Sequence, residues 1–427
     1  MKMKPKIILM GLVTTMILLV TAPAVFCAQL SETTTWTRLE GIVGKSTLAL
    51  DVTVDKDGNS YMVGITDYNN NDVCKGFVSK YAADGSKLWT KQFGDETDEN
   101  GTVALGVAVD STNNCYVTGY TGSNLDGFEL TGIEDAFIIK YKPDGTKEWI
   151  KLVGVPEAST HSFDIAIDKL DNFYITGSTE GKLNNQVITG YSDLFLIKYN
   201  SAGVQQWTQL LGEVKAFTIS YGIAIDKNNN LYLTGEKGAH LDKTDAFLVK
   251  YNSVGNKEWL RLLGTTSGTA KGIAIALDSK GNSFVAGKIN GQIAHRAQIN
   301  EYNAFVAQYS SDGNKLWSDI FGAEGAATDI GGIVIDSLDN FYLTGYTNGA
   351  LGGQTKIGKR DTYVIKYTAT TKEWIKILGV VNGTIGSRNI AIDKNNHLYV
   401  VGSTNISFDG ETKTGLGDAF ITTYFNK

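Results

Sequence analysis

Cysteine is nearly absent from this chain: three among 427 residues, one of which, Cys27, falls in an apolar N-terminal stretch. The other two, Cys74 and Cys115, are expected at opposite ends of their sheets, which excludes a disulfide between them and leaves two small buried or half-buried side chains. Proline is equally sparse, with four in all, so linkers and low-complexity tails are excluded. There are four histidines, with no Cys/His zinc spacing, no G-x-S-x-G and no phosphate-binding glycine loop. Charged residues make up 20% of the chain and the net charge is −6, which excludes the basic surface a nucleic-acid partner requires. After residue 26 no apolar run is long enough to span a bilayer.

Glycine and aromatic residues, by contrast, are plentiful and regularly placed. The seven tryptophans are Trp36, Trp89, Trp149, Trp207, Trp259, Trp317 and Trp374, 52 to 60 residues apart. Each falls at the same point of one recurring phrase, whose fourth copy reads GIAIDKNNNLYLTG, DAFLVKYN and KEWLRLLG. Short β segments repeating at this period indicate a β-propeller with one blade per repeat.

Four strands can be read in each repeat. The innermost ends at Asp55, Asp110, Asp168, Asp226, Asp278, Asp336 or Asp393, and a tight turn leads to Asn59, Asn114, Asn172, Asn230, Asn282, Asn340 or His397. Asp, Asn and Gly in that order are hairpin chemistry. The second strand closes on a glycine, such as Gly64 or Gly235, where a bulge or a close backbone approach is expected. In the third strand Phe247 and Tyr251 lie four residues apart and so on one face. Tryptophan marks the fourth strand.

The order of the strands predicts how the fold closes. Residues 36–41 read as a fourth strand with no first three ahead of it, and residues 418–424 as a third strand with no fourth behind it. Pairing them would complete the last blade and remove an open edge. The expected fold is therefore all-β: a seven-bladed propeller of four-stranded blades, one domain over residues 30–427, closed by the N-terminal strand. Residues 1–24 read as a signal peptide: three lysines by Lys6, an apolar stretch from Ile7 to Val20, and the small residues Ala22 and Ala24, with cleavage as late as 28 as the other option. Export to the cell surface, periplasm or medium follows.

Phrases such as VAVDSTNNCYVTGYT, DAFIIKYKPDGTKEW and IAIDKNNNLYLTG resemble the SBBP-type β-propeller repeat of exported and surface proteins, and more loosely the NHL and YVTN propellers. That resemblance implies a fold and a location, and binding through one face of the disc. It brings no catalytic residue and no cofactor.

Candidate functional residues lie on the more variable of the two faces. There, the connections run from EKGAHLDKT through KINGQIAHRAQINEY to YTNGALGGQTKIGKR, whereas the hairpin face repeats DKDGN-like and YNSVGNKEW-like turns. Loops on a rigid scaffold are where binding residues collect. His161 is expected just ahead of a first strand, and His240 and His295 in long connections; imidazoles there could ligate a metal or act as bases. A second set rings the channel mouth: Asp51, Gly106, Asp164, Gly222, Ala274, Gly332 and Asn389, with Tyr221 and Arg388 beside it. Small residues at this level are expected to hold the mouth open. Neither set has a motif spacing that names a metal, and the bland alternatives are solvated loop histidines and strand-start acids bonded to backbone. Asp55 to Asn59 alternates oxygen ligands like a calcium loop, but its glycine comes too early and no glutamate follows at the twelfth position, which favours a turn. The reading is a monomeric, non-catalytic recognition or scaffold module for a protein or a surface glycan, with a hydrolase or lyase at the channel mouth as the alternative.

Overall fold

The computed structural model describes residues 34–67, 74–95, 100–240, 242–264, 268–291 and 302–425. The signal-peptide reading and His295 lie outside them. Among the described residues there is no helix, and 28 strands carry the fold. Strand β1 is Thr34–Glu40, and four-strand runs follow it. These are β2 to β5 (Thr47–Val54, Ser60–Thr66, Lys75–Tyr81, Lys87–Phe93) and β6 to β9 (Thr102–Val109, Cys115–Thr121, Asp135–Tyr141, Lys147–Val153). Next come β10 to β13 (Thr160–Ile167, Phe173–Thr179, Asp193–Tyr199, Gln205–Leu211) and β14 to β17 (Phe217–Ile225, Leu231–His240, Lys243–Tyr251, Lys257–Leu263). Then β18 to β21 (Gly268–Leu277, Ser283–Gly291, Asn303–Tyr309, Lys315–Phe321) and β22 to β25 (Thr328–Ile335, Phe341–Thr347, Asp361–Thr368, Thr371–Leu378). Last are β26 to β28 (Ile385–Ile392, His397–Thr404, Asp418–Phe425).

Within each run successive strands pair antiparallel as hairpins. The β14–β17 and β18–β21 units are joined into one larger sheet by a single parallel pairing of Thr244 with Thr269. The final sheet has the order β1-β28-β27-β26, so the first described strand completes it, as expected. Trp36 faces Thr423 in that pairing and Glu40 faces Ala419.

The turn chemistry is as read from the sequence. Asp55 Oδ1 accepts the N–H groups of Asp57 and Asn59 at 3.0 and 2.9 Å, and Asn59 Nδ2 donates to Asp55 Oδ2 at 2.9 Å. Both carboxylate oxygens thus bond within the turn. In the last repeat His397 Nδ1 takes the place of the asparagine amide, 2.7 Å from Asp393 Oδ2. The second-strand glycines are set by close backbone approach: a Cβ on Gly64, Gly119, Gly177 or Gly235 would lie 1.8 to 1.9 Å from a carbonyl oxygen of the first strand.

Apolar side chains pack between sheets and not at one centre. The cluster joining β10–β13 to β14–β17 contains Tyr174, Leu194 and Leu196 with Leu233, Phe247 and Tyr251, so the last two share a face as expected. A comparable cluster joins β2–β5, through Met62, Phe77 and Tyr81, to Tyr399, Val401 and Ile421 of the β1-containing sheet, with Trp36 against it. Cys74 and Cys115 are both free thiols, Cys115 fully buried.

All seven tryptophans are half-buried. Each belongs to an outer strand, and its ring works at a seam. Trp36 lies 6.1 Å from Tyr399 of its own sheet and 6.2 Å from Tyr81 of the next, while its Nε1 donates to Ala83 O at 2.9 Å. Gly255, at φ +88°, covers Trp207, where a Cβ would come within 3.2 Å of the ring. Replacing Trp207 by Ala is therefore expected to cost about 2 kcal/mol in urea unfolding, less than the roughly 3 to 5 kcal/mol of a fully buried tryptophan. A loss below about 0.5 kcal/mol would mean that the seam contact contributes nothing.

Candidate functional site

A β-bulge in the first strand of every repeat builds the site. The register shifts between Ala49 and Asp51, Ala104 and Gly106, Ser162 and Asp164, Ser220 and Gly222, Gly272 and Ala274, Ile330 and Gly332, and Ser387 and Asn389. One residue is left unpaired each time and its side chain is re-aimed. Those residues are Leu50, Leu105, Phe163, Tyr221, Ile273, Gly331 and Arg388, and all seven line one cavity of about 340 Å³. The first strands of all the repeats thus converge there. Asp51, Asp164, Ala274 and Asn389 line it too, along with Lys288 and Asp329.

Of the residues singled out from sequence, Asp51, Asp164, Tyr221 and Arg388 come together at this cavity. His161 does not line it. It lies within β10 and not ahead of it, because the bulge lets the first strand begin earlier than its hydrophobic alternation suggests. Its Nε2 is 2.6 Å from Glu134 Oε2, and its ring lies 4.2 Å from Tyr120 at a tilt of 33° and meets Phe163 edge-on at 6.2 Å. His240 is the exposed last residue of β15, paired in register with Lys243, and not part of a long loop. No group of three or more His, Cys, Asp or Glu able to hold a metal occurs among the described residues.

The small residues at the channel level do something other than hold the mouth open. A Cβ on Gly106 would approach Asp164 Cα to 3.0 Å, and one on Gly222 the Ile273 carbonyl to 3.3 Å. Glycine here lets neighbouring first strands pack close. Where this position is acidic, the carboxylate bridges the same gap. Asp51 Oδ1 accepts Val52 N–H at 2.7 Å, its Oδ2 accepts Val107 N–H at 2.8 Å from the next sheet, and Asn389 Nδ2 donates to it from the other side. Asp164 repeats the pattern with Ile165 N–H at 2.7 Å and Ile223 N–H at 2.9 Å.

Burial pushes Asp51 up to about 7, against the lowering effect of its three hydrogen bonds. Asp164 is pushed up to about 8, first by burial and then by the negative charge of Asp51. Below pH 7 both carboxyls are therefore mainly neutral.

The rest of the lining divides into two arcs. On one side Phe163 and Tyr221 form an edge-to-face pair at 5.1 Å, and Tyr221 donates its hydroxyl to the buried Glu236 at 2.6 Å, which Lys271 also reaches at 2.7 Å. On the other, Asp329 pairs with Lys288 at 3.5 Å and accepts the Tyr346 hydroxyl at 2.9 Å. Tyr346 carries Arg360 at 4.2 Å and Arg388 at 5.7 Å over its ring.

Variable loops surround this region on a repeated anchor that sequence reasoning missed. Asp135 takes the N–H groups of Thr131 and Gly132 at 2.7 and 2.9 Å, and Asp193, Asp361 and Asp418 do the same in their own loops. The signal was visible as the Asp opening each DAF-like phrase. It reads equally well as a polar strand start.

Four-stranded antiparallel sheets packed in succession, with their first strands lining a common cavity, define a β-propeller architecture. The SBBP β-propeller repeat matches residues 88–126, 148–184, 206–236, 258–293, 316–353 and 373–409, and the chain belongs to that family. It is similar to an uncharacterized WD repeat-containing protein of Acanthamoeba polyphaga mimivirus, 25% identical over 44% of this chain and 17% of that protein. It is also similar to the regulatory protein FlaEY of Caulobacter vibrioides, 24% identical over 70% of this chain and 36% of that one. The chain thus spans well under half the length of these relatives. Among solved structures, an ulvan lyase bound to -[GlcA(1-4)Rha3S]- superposes with a TM-score of 0.50 at 9% identity, covering 91% of this chain and 96% of that one. A puromycin hydrolase gives 0.51 at 7% identity, covering 83% and 50%. At these identities the likeness is one of fold.

Proposed function

We propose that the chain forms a closed seven-bladed propeller that acts, after export, as a monomeric, non-catalytic recognition module, with the bulge-lined cavity and surrounding loops as its binding surface. One observation carries this reading: seven equivalent backbone positions bring two leucines, a phenylalanine, a tyrosine, an isoleucine, a glycine and an arginine to one cavity, while the opposite hairpin face repeats the same turn. Variation confined to one face of a uniform scaffold suits ligand choice. Surface glycans and surface proteins are the ligand classes that export makes available.

A hydrolase or lyase at the channel mouth is the second reading, favoured by the weakened acidity of Asp51 and Asp164, since perturbed carboxyls are common in active sites. Against it, both oxygens of each carboxyl accept backbone N–H groups, one of them from the neighbouring sheet, which is a structural role at a seam.

The test is an alanine set on the full-length protein, after a ligand has been captured from surface glycan and protein collections. Tyr221→Ala and Phe163→Ala are expected to weaken binding at least tenfold, whereas Asn230→Ala and His397→Ala on the hairpin face leave it unchanged and each lose about 1 kcal/mol of stability through the turn hydrogen bond. Asp51→Ala and Asp164→Ala should lower stability as well, since each strips the acceptor from a neighbouring sheet's N–H. Binding that fails only in the hairpin-face variants would place the ligand on the other side of the disc. Turnover of a captured glycan, abolished by Asp164→Asn, would establish the enzyme reading instead.

A further inference from the structure

We infer that the cavity is a subsite for an acidic sugar, in which Arg388 takes a carboxylate or sulfate while Phe163 and Tyr221 receive an apolar ring face. This rests on the recognition reading above and assigns its ligand a chemical class.

Arg388 is the starting point. Each of the other described arginines has a hydrogen-bond acceptor: Arg38 on Gly85 O at 2.8 Å, Arg261 on Gly313 O at 2.8 Å and Arg360 on Asn348 Oδ1 at 3.4 Å. Arg388 is exposed and has neither a side-chain hydrogen bond nor an ion pair among the described residues; its guanidinium lies over the Tyr346 ring. A guanidinium offers five donors in a planar fork that matches the paired oxygens of carboxylate or sulfate. Here the bulge leaves Arg388 unpaired at the cavity lining, and Tyr346, itself tied to Asp329, limits where its fork can swing.

The surrounding charge is arranged to leave Arg388 uncompensated. Asp329 is already matched by Lys288 and by the Tyr346 hydroxyl. Asp51 and Asp164, the remaining acids of the lining, have their oxygens turned to backbone donors, and burial keeps them largely protonated in mildly acidic solution. Behind the wall, Glu236 is answered by Lys271 and Tyr221. Below about pH 7 the lining therefore carries one net positive charge, on Arg388. Above about pH 8 the two aspartates ionise and reverse it.

Across the cavity Phe163 and Tyr221 are half-buried and hold each other edge-to-face. A pyranose presents a C–H face and a hydroxyl rim, which suits an aromatic wall facing a charged fork. A volume of about 340 Å³ is at the lower end of small-ligand sites, about 300 to 1,000 Å³. It fits a terminal or single acidic unit better than a long buried chain.

The experiment is calorimetric titration of the full-length protein with three probes: oligogalacturonate for carboxylate, a chondroitin sulfate oligosaccharide for sulfate, and a neutral dextran oligosaccharide. At pH 6 at least one acidic probe should bind ten or more times tighter than dextran, and its affinity should fall at least fivefold at pH 8.5. Arg388→Ala should remove that preference with an unchanged melting temperature, because the exposed side chain makes no hydrogen bond or ion pair among the described residues. Arg388→Lys should restore only part of it, since a point charge lacks the fork. Phe163→Ala should weaken every saccharide that binds. Dextran binding as tightly as the acidic probes, with Arg388→Ala neutral and Phe163→Ala still harmful, would overturn the acidic subsite and leave the recognition reading standing. Affinity that rises with pH would mean a cationic ligand and overturn it as well. If no saccharide binds while a protein ligand maps to Tyr221 and Phe163, the sugar class is wrong and the surface is right; if neither kind of ligand maps there, both fail.

Discussion

A chain beginning at Thr47 is expected to lose cooperative folding or to associate. Removing β1 takes away the outer strand of the last sheet, which pairs with β28 from Thr34 to Glu40. It also removes Trp36 from the seam between Tyr399 and Tyr81, and Arg38 Nε from Gly85 O. Glu40, which accepts the Tyr81 hydroxyl at 2.7 Å and the Thr90 hydroxyl at 2.8 Å, goes as well, leaving Tyr81 buried without its partner. An aromatic seam residue is worth a few kcal/mol and each lost hydrogen bond about 1 kcal/mol. The sum is on the order of 5 kcal/mol or more, comparable with the whole stability of an ordinary domain. What remains is an open, largely apolar β28 edge able to recruit a second chain. Melting and light scattering decide the matter: a monomer with the full-length melting temperature would show that β1 is dispensable.

Gly235→Ala is expected to cost at least about 3 kcal/mol, far above the propensity difference between the two residues. Its Cβ would lie 1.8 Å from Ile219 O and 2.8 Å from Phe247 Cε1. The carbonyl belongs to the backbone directly across the ladder, where Ser220 faces Gly235, so no side-chain rotation can relieve the clash. The strands must separate at the bulge, and the cavity wall carrying Tyr221 moves with them. Such losses arise where a position has no room to yield. Urea unfolding checks the value; a change under about 1 kcal/mol would mean that the bulge is soft.

The repeat made most of this architecture legible. Tryptophan spacing, Asp-to-Asn turns and second-strand glycines each have a local physical cause, so they leave a local mark, and the pairing of β1 with β28 followed from which strands lacked partners. The bulge leaves no such mark. It shifts side-chain alternation by one residue using ordinary Leu, Phe, Ile or Arg, so Leu50, Leu105, Phe163 and Ile273 drew no notice in the sequence and His161 read as lying ahead of its strand. The tryptophan spacing marked the outer strands but not the exposure of the rings, since an outer-strand ring over a glycine turn is half open to water. Within the site, Asp51 and Asp164 were legible as a polar pair at the channel level, whereas their partners, N–H groups of a neighbouring sheet, depend on how far apart the inner strands sit.

The antiparallel pairing of β1 with β28 also gives the molecule a mechanical character. Thr34 faces Tyr424, so the segments that lead into β1 and out of β28 leave from the same end of one ladder. A pull that separates those segments loads the hydrogen bonds singly, from that end inward, and peels the sheet as a zipper opens. Force applied between loops of different sheets is instead shared among several inter-sheet seams at once. Tension on the flanking chain therefore finds the weakest direction, and a load borne through the loop face finds a much stiffer one.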